Sequence, residues 1–335
     1  MPSTAVREQL DAHPAIDAQD AYAYYDTLAS SADLEHLFEV LTSVKGGDGY
    51  PAILTANCLI ANPDFERIRA SDFEQYFYEP LTQTFERYGQ GDALQMWKKG
   101  LNAGVFVHQF HGREHVNVPL WLQLLKEGHS GVKTGFEAGV FGVRFRGLTQ
   151  KQWNLQRAWD LLVDNAEQQI SKSIVEGLYL FRQQFGYSSL TAIAPNYTWN
   201  EGQEQLLAQH GVIATQGILN QRQPAGSNIP YRYIKRFTRG RGKNKNMAFQ
   251  RRNVFFEPSV KPHIDFVDLA LARISIAFKM GKPAVVGSHR INFVGELSAR
   301  NRDNNLLQFK KLLQTITKKW PDVVFMSSAQ LAELQ

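Results

Sequence analysis

The sequence predicts a wound α/β fold, a mostly parallel sheet whose strands are joined by crossover helices. Three observations predict it. Short apolar runs alternate with longer amphipathic ones along most of the 335 residues, and strand–helix alternation is what parallel sheets require. Polar clusters follow directly on several of the apolar runs. Neither a GxxxxGK[ST] loop nor a glycine-rich dinucleotide fingerprint follows the first strand, so a nucleotide-cradling variant is disfavoured.

The elements follow in order. The first 45 residues read as helical, with Leu34, Leu37, Phe38 and Leu41 at helical spacing within 32–43. Gly46-Gly47-Asp48-Gly49 breaks the chain, and 51–58 (PAILTANC) reads as a buried strand. A helix is expected over 73–88 and a second strand over 104–110. Asn117 caps a helix that has Pro119 early and Gly128 beyond its end, the usual asymmetry. A long helical region is expected over 148–186. Strands at 190–194 and 212–215 flank a helix at 200–209. An extended piece at 253–256 precedes an amphipathic helix at 264–280, then a strand at 283–288, a helix at 298–319, a last strand at 323–326 and a terminal helix. These divide into a helical N-terminal extension, 1–46, and a single α/β domain, 47–335.

Composition narrows the function classes. With 43% hydrophobic and 21% charged residues the chain is an ordinary folded protein with a sizeable core. Its one cysteine, Cys58, excludes an intrachain disulfide and a zinc ribbon. No apolar run reaches the length of a membrane span, and the N-terminal residues show no apolar leader; a cytoplasmic protein is expected. The net charge of +5 arises from one stretch, 235–252, which holds eight Lys and Arg and no acid. That makes a local cationic loop rather than a basic domain, and no nucleic-acid-binding motif accompanies it.

In parallel folds ligands bind just past the carboxyl ends of the strands. Those positions carry Asn57-Cys58, His111-Gly-Arg-Glu-His115, Pro195-Asn196-Tyr197-Thr198-Trp199 and His289-Arg290-Ile291-Asn292. Imidazoles at i and i+4 suit a divalent ion such as zinc, which makes His111 and His115 candidate metal ligands. His289 is a candidate general acid. Asn57, Arg113, Asn196, Tyr197, Trp199, Arg290 and Asn292 mix amide, cationic and aromatic groups suited to the faces and hydroxyls of a sugar. His108 is read as a strand side chain on the opposite face from His111. Asp64 is read first as part of a turn.

The blocks NPDF (62–65), HGREHVNV (111–118), APNYTW (194–199), SHRINFVG (288–295) and WPDVVFMSS (320–328) resemble the polysaccharide deacetylase (NodB-homology) superfamily, carbohydrate esterases with a deformed (β/α) barrel. The resemblance spans about 50 to 328 and is nearest to a bacterial subgroup labelled polysaccharide (de)acetylase. It implies a metal-dependent carbohydrate deacetylase that removes an N- or O-acyl group from a bacterial saccharide or precursor. The family's H-[ST]-x-x-H metal motif is similar to His111-Gly-Arg-Glu-His115, its R-P-P-[YF] motif to Ala194-Pro195-Asn196-Tyr197, and its L-H-D motif to Ser288-His289-Arg290.

The family's T-F-D-D-G motif, with one aspartate as base and one as metal ligand, is met by Thr55-Ala56-Asn57-Cys58-Leu59. Asn57 has no titratable group for a base. Glu114 is the nearest substitute, with Asp64 and Glu137 behind it. The alternative is a non-catalytic glycan-binding barrel that has lost those carboxylates. A third reading, glycoside cleavage, needs two carboxylates about 5–9.5 Å apart. The expected ligand is a saccharide or saccharide precursor, anionic ones included, drawn in by the cationic loop.

Overall fold

Five parallel strands form the central sheet of the computed structural model, which describes residues 4–17, 21–145, 154–224, 232–240 and 247–335. They are β1 (Leu54–Cys58), β2 (Phe106–Phe110), β3 (Thr191–Ile193), β4 (Ala214–Gly217) and β5 (Ala248–Arg251). They pair in chain order, β5-β4-β3-β2-β1, and every ladder is parallel. A parallel neighbour needs a long crossover, and those segments carry the helices. Immediately beyond β5, β6 (Val254–Phe255) pairs in parallel with β7 (Val286–Gly287). The chain therefore winds on past the five-stranded sheet.

Among the described residues no ladder joins the segment 323–326 back to β1. A belt of side chains spans the gap instead. Gln109 donates to Asn57 and to Gln216 (2.8 and 3.1 Å), Gln216 donates to Gln250 (3.1 Å), and Gln250 donates to the carbonyl of Ser328 (2.8 Å). The Ser328 amide then donates to Thr55 Oγ1 (3.0 Å), returning to β1. Period-2 alternation puts these residues on one face of their strands. Buried amides demand partners, and the belt supplies them.

The other face packs against helices. On one flank α1 (Ser31–Thr42), α6 (Phe266–Lys279) and α7 (Ala299–Lys319) bury Leu37, Leu41, Ile274 and Leu312 in a core shared with Phe106 and Phe256. A capping box of Ser30 and Asp33 opens α1, and Asp33 also pairs with Arg302 of α7 at 2.9 Å. On the other flank α4 (Ala166–Phe185) lays Ile170, Ile174 and Phe181 beside Phe110. Gly177 permits this approach, since a Cβ there would meet the backbone nitrogen and Cβ of Arg113 at 3.0 Å.

Several elements differ from expectation. The region 73–88 is not one helix: Asp72 and Phe73 adopt positive φ, Tyr78–Pro80 is a strand paired with Ala61–Pro63, and only Leu81–Arg87 is helical. The long helix over 148–186 begins only at Ala166, after Asn165 in the left-handed region; 154–163 is irregular, and 146–153 lie outside the described residues. The 235–252 stretch is more than a loop. It contains β5, and its first residue, Lys235, closes one strand of an antiparallel hairpin, Arg232–Lys235 on Asn220–Gln223. Its high charge masks the short apolar pair Ala248-Phe249, both buried. The segment 323–326 joins no ladder.

Candidate functional site

The strands' carboxyl ends bring four loops to one mouth. In β2, Gln109 faces the polar belt and His108 the helices, so His111 returns to the belt's face. Its Nδ1 lies 2.8 Å from the Ile193 carbonyl at the end of β3 and donates to it. That leaves Nε2 as an acceptor. Gly112, at φ 116°, turns the chain so that His115 comes back beside His111, ring centroids 5.0 Å apart and edge to face. Desolvation holds His111 down to about 3, with His115, Arg252 and His289 adding repulsion against the Ile193 bond. His115 is lowered too, by desolvation first and by His289. Both imidazoles are neutral at physiological pH, and the Nδ1 of His115 is buried without a partner. Because His289 acts electrostatically on both rings, the loop after β7 and the loop after β2 share this mouth.

His289 lives in a different setting. Its side chain is 48% exposed and its Nδ1 donates to Glu257 Oε1 at 2.7 Å. The second carboxylate oxygen of Glu257 accepts from Asn292 Nδ2 at 2.9 Å. Glu257 follows β6 by two residues and was missed in the sequence, although the strand-end rule that picked out the other loops applies equally to 253–256. Arg252, also missed, donates to the Tyr197 hydroxyl at 2.7 Å. Its guanidinium lies against Gly287, where a Cβ would come within 2.5 Å of Nε and Nη2. Asn196 and Tyr197 both hold left-handed φ (51° and 55°) in the turn that presents this hydroxyl.

The remaining expected site residues separate. Asn57 is exposed at the mouth, its carbonyl oxygen taken by Gln109. Trp199 is buried in the core, donating to Glu204 and stacked on Phe249, so it presents no face to a sugar. Asn292 is wholly buried and is a structural hub: its amide donates to Glu257, Ser288 and the His289 carbonyl, and its oxygen accepts from the Ser259 amide. Arg290 is spent on a two-pronged pair with Asp26 at 2.9 Å. In those three the polar groups are committed or the faces covered.

Arg113 and Glu114 lie between the two histidines in sequence and belong to another cavity. It measures about 290 Å³ and is lined also by Tyr76, Tyr78, Lys172 and Glu176. Arg113 bridges Glu114 and Glu176 there, and the carboxyl of Glu114 also accepts from the Tyr76 hydroxyl at 3.3 Å. Burial raises the Glu114 pKa against the pull of Arg113. Neither histidine lines that cavity, which leaves the mouth without Glu114 as its base. Asp64 caps the helix Phe65–Ala70, and Glu137 pairs with Arg69 on the surface.

Among the described residues the zinc site implied by the resemblance is not completed. Among the described residues no three His, Cys, Asp or Glu side chains gather as a metal site, and of those types the remaining residues contain only Asp20. Cys58 is buried, and desolvation pushes its thiol far above the ordinary range, so it offers no thiolate. A catalytic zinc takes three protein ligands; the described residues offer two imidazoles, beside the cationic Arg252.

No family model matches the chain, and no curated protein matches it. Among solved structures it is similar to that of IcaB from Ammonifex degensii, at 9% identity over 62% of this chain and 82% of that one, with a TM-score of 0.26. It is also similar to the alpha-amylase AmyC from Thermotoga maritima, at 9% identity over 100% of this chain and 68% of that one, with a TM-score of 0.37. Scores this low carry no argument about chemistry. What stands is a mixed α/β protein with a five-stranded parallel sheet and a histidine-bearing mouth at its carboxyl edge.

Proposed function

We propose that the chain is a saccharide-directed acyl hydrolase working at this mouth, and the observation that carries the reading is the His289–Glu257 pair beside two neutral imidazoles. Water attacks the acyl carbon, the bond from that carbon to the sugar nitrogen or oxygen breaks, and the departing atom takes a proton. His289 donates it from Nε2, and Glu257, accepting from Nδ1, orients the ring. Asn292 holds Glu257 in turn. Arg252 and Tyr197 supply a cation and a hydroxyl for the oxygen that gains charge. His111, its Nδ1 proton committed to Ile193, accepts a hydrogen bond from the attacking water at Nε2; the proton that water loses passes to solvent, which reprotonates His289. No step runs through a metal.

One observation favours a second reading, glycan binding without turnover. Where the resemblance expects two aspartates, Asn57 is tied to Gln109 and Cys58 is a buried neutral thiol. Acetate release from acetylated chito- and xylo-oligosaccharides, measured with and without chelator, separates the two. Turnover that survives chelation and falls in His289→Ala and Glu257→Gln supports the hydrolase. Saccharide binding without acetate release establishes the binder. Stoichiometric zinc that is required for activity would overturn the metal-free reading.

A further inference from the structure

The hairpin Asn220–Gln223/Arg232–Lys235 leaves the sheet directly after β4, at the mouth end. Arg222 bridges to Thr198, and its carbonyl accepts from the Trp199 amide, so the hairpin lies against the loop that presents Tyr197. Register sorts its faces. Gln221 is buried and Ile234 opposite it half-buried, so the alternate pair, Arg222 opposite Tyr233, turns outward with Lys235. Arg232 is exposed at the start of the second strand, and Arg239 and Phe237 are exposed beyond its end.

Between Glu204 and Glu257 the chain contains no acid. Within this arm Arg236 pairs with the carboxylate of Glu204, and among the described residues no acid pairs with Arg232, Lys235 or Arg239. Like charges held on one ribbon raise a local positive potential that attracts an anion. Two candidate polyanions differ in what else they need. A single-stranded nucleic acid is tracked by successive open aromatic faces, whereas the Tyr233 ring is covered by the Arg222 guanidinium, which also donates to its hydroxyl at 3.3 Å. Among the described residues of the arm that leaves Phe237 as the open aromatic.

We infer that this hairpin is a docking arm for an anionic saccharide, one bearing repeated carboxylate or phosphate groups, which it aligns with the mouth. The inference rests on the saccharide reading above and adds the substrate's charge to it. Arg222, Arg232 and Lys235 engage successive anionic groups, and Arg252 beside Tyr197 continues the cationic path into the mouth.

The test uses the full chain and equilibrium binding, so that it does not depend on turnover. The probes are oligogalacturonate for carboxylates, phosphorylated dextran for phosphates, neutral dextran, and a single-stranded oligodeoxynucleotide of matched charge. The inference expects one of the two anionic saccharides to bind at least about tenfold tighter than neutral dextran at low salt. The double variant R232E/K235E should lose about tenfold of that affinity, given the modest worth of each exposed charge pair, and the difference should vanish near 1 M salt. Equal binding of neutral and anionic dextrans, or an unchanged double variant, overturns it. Tighter binding of the oligonucleotide than of either saccharide overturns it in favour of nucleic acid. Acetate release without selective anion binding would sink this inference and leave the hydrolase standing; anion binding without acetate release would do the reverse.

Discussion

Two histidine-bearing loops meet at one mouth and are built in opposite ways. The loop after β2 buries His111 and His115, and desolvation keeps both uncharged. The loop after β7 leaves His289 half exposed and gives it a carboxylate partner. One loop thus supplies neutral, enclosed acceptors and the other an accessible ring oriented by a carboxylate. The difference teaches that equal residue type says little about role: the dielectric and the nearest charge assign it.

The comparison can be broken most sharply at His289. His289→Ala should lower acetate release by about 10²–10⁴-fold, the usual worth of a positioned acid, with little change in unfolding midpoint because the ring is half exposed. An unchanged rate would remove His289 from the chemistry. Next is the hub beneath it. Asn292→Ala strands the buried amide of Ser259 and frees Glu257, and should cost about 2–3 kcal/mol in urea unfolding. Retained stability would show that the hub is dispensable.

Acid sharpens the contrast from the other side. His108, stacked on Phe185 at 4.2 Å, is held down to about 4 by burial. When unfolded it binds a proton near 6.5, so between these values the unfolded chain takes up more protons. The stability it contributes is full above pH 6.5 and is lost as pH falls toward 4. From pH 7.5 to 5 the loss is about 2 kcal/mol, and His111 adds in the same direction. Urea titrations at the two pH values should show it, with His108→Phe flattening the slope; an equal slope in that variant would refute the assignment. The smallest effect is at the rim. Arg290→Ala breaks an ion pair that is 42% and 17% exposed and should cost no more than about 1 kcal/mol in the same assay, where a larger loss would give Asp26 a structural role.

Legibility in the sequence followed the range of the interactions. The helices α1, α6 and α7 and strands β1 to β4 were visible because 3.6- and 2-residue apolar periods are local. β5 was hidden because its buried Ala248-Phe249 is flanked by cations whose partners come from elsewhere, as Arg252 finds Tyr197. The strand-end rule located His111, His115, Tyr197 and His289, and the same rule carried past 253–256 would have found Glu257. Trp199 and Asn292 illustrate the converse, since residue type marked them as sugar-contacting while packing made one a core filler and the other a buried tie.

The order of elements and the identity of the polar residues at the strand ends were determined by the sequence alone, since both rest on spacing along the chain. Which carboxylate serves which cation was decided only by the tertiary structure. Glu114 turned to Arg113 in a separate cavity while Glu257, from another crossover, reached His289. Coulomb attraction depends on distance through space, and folding sets that distance between residues that the chain leaves far apart.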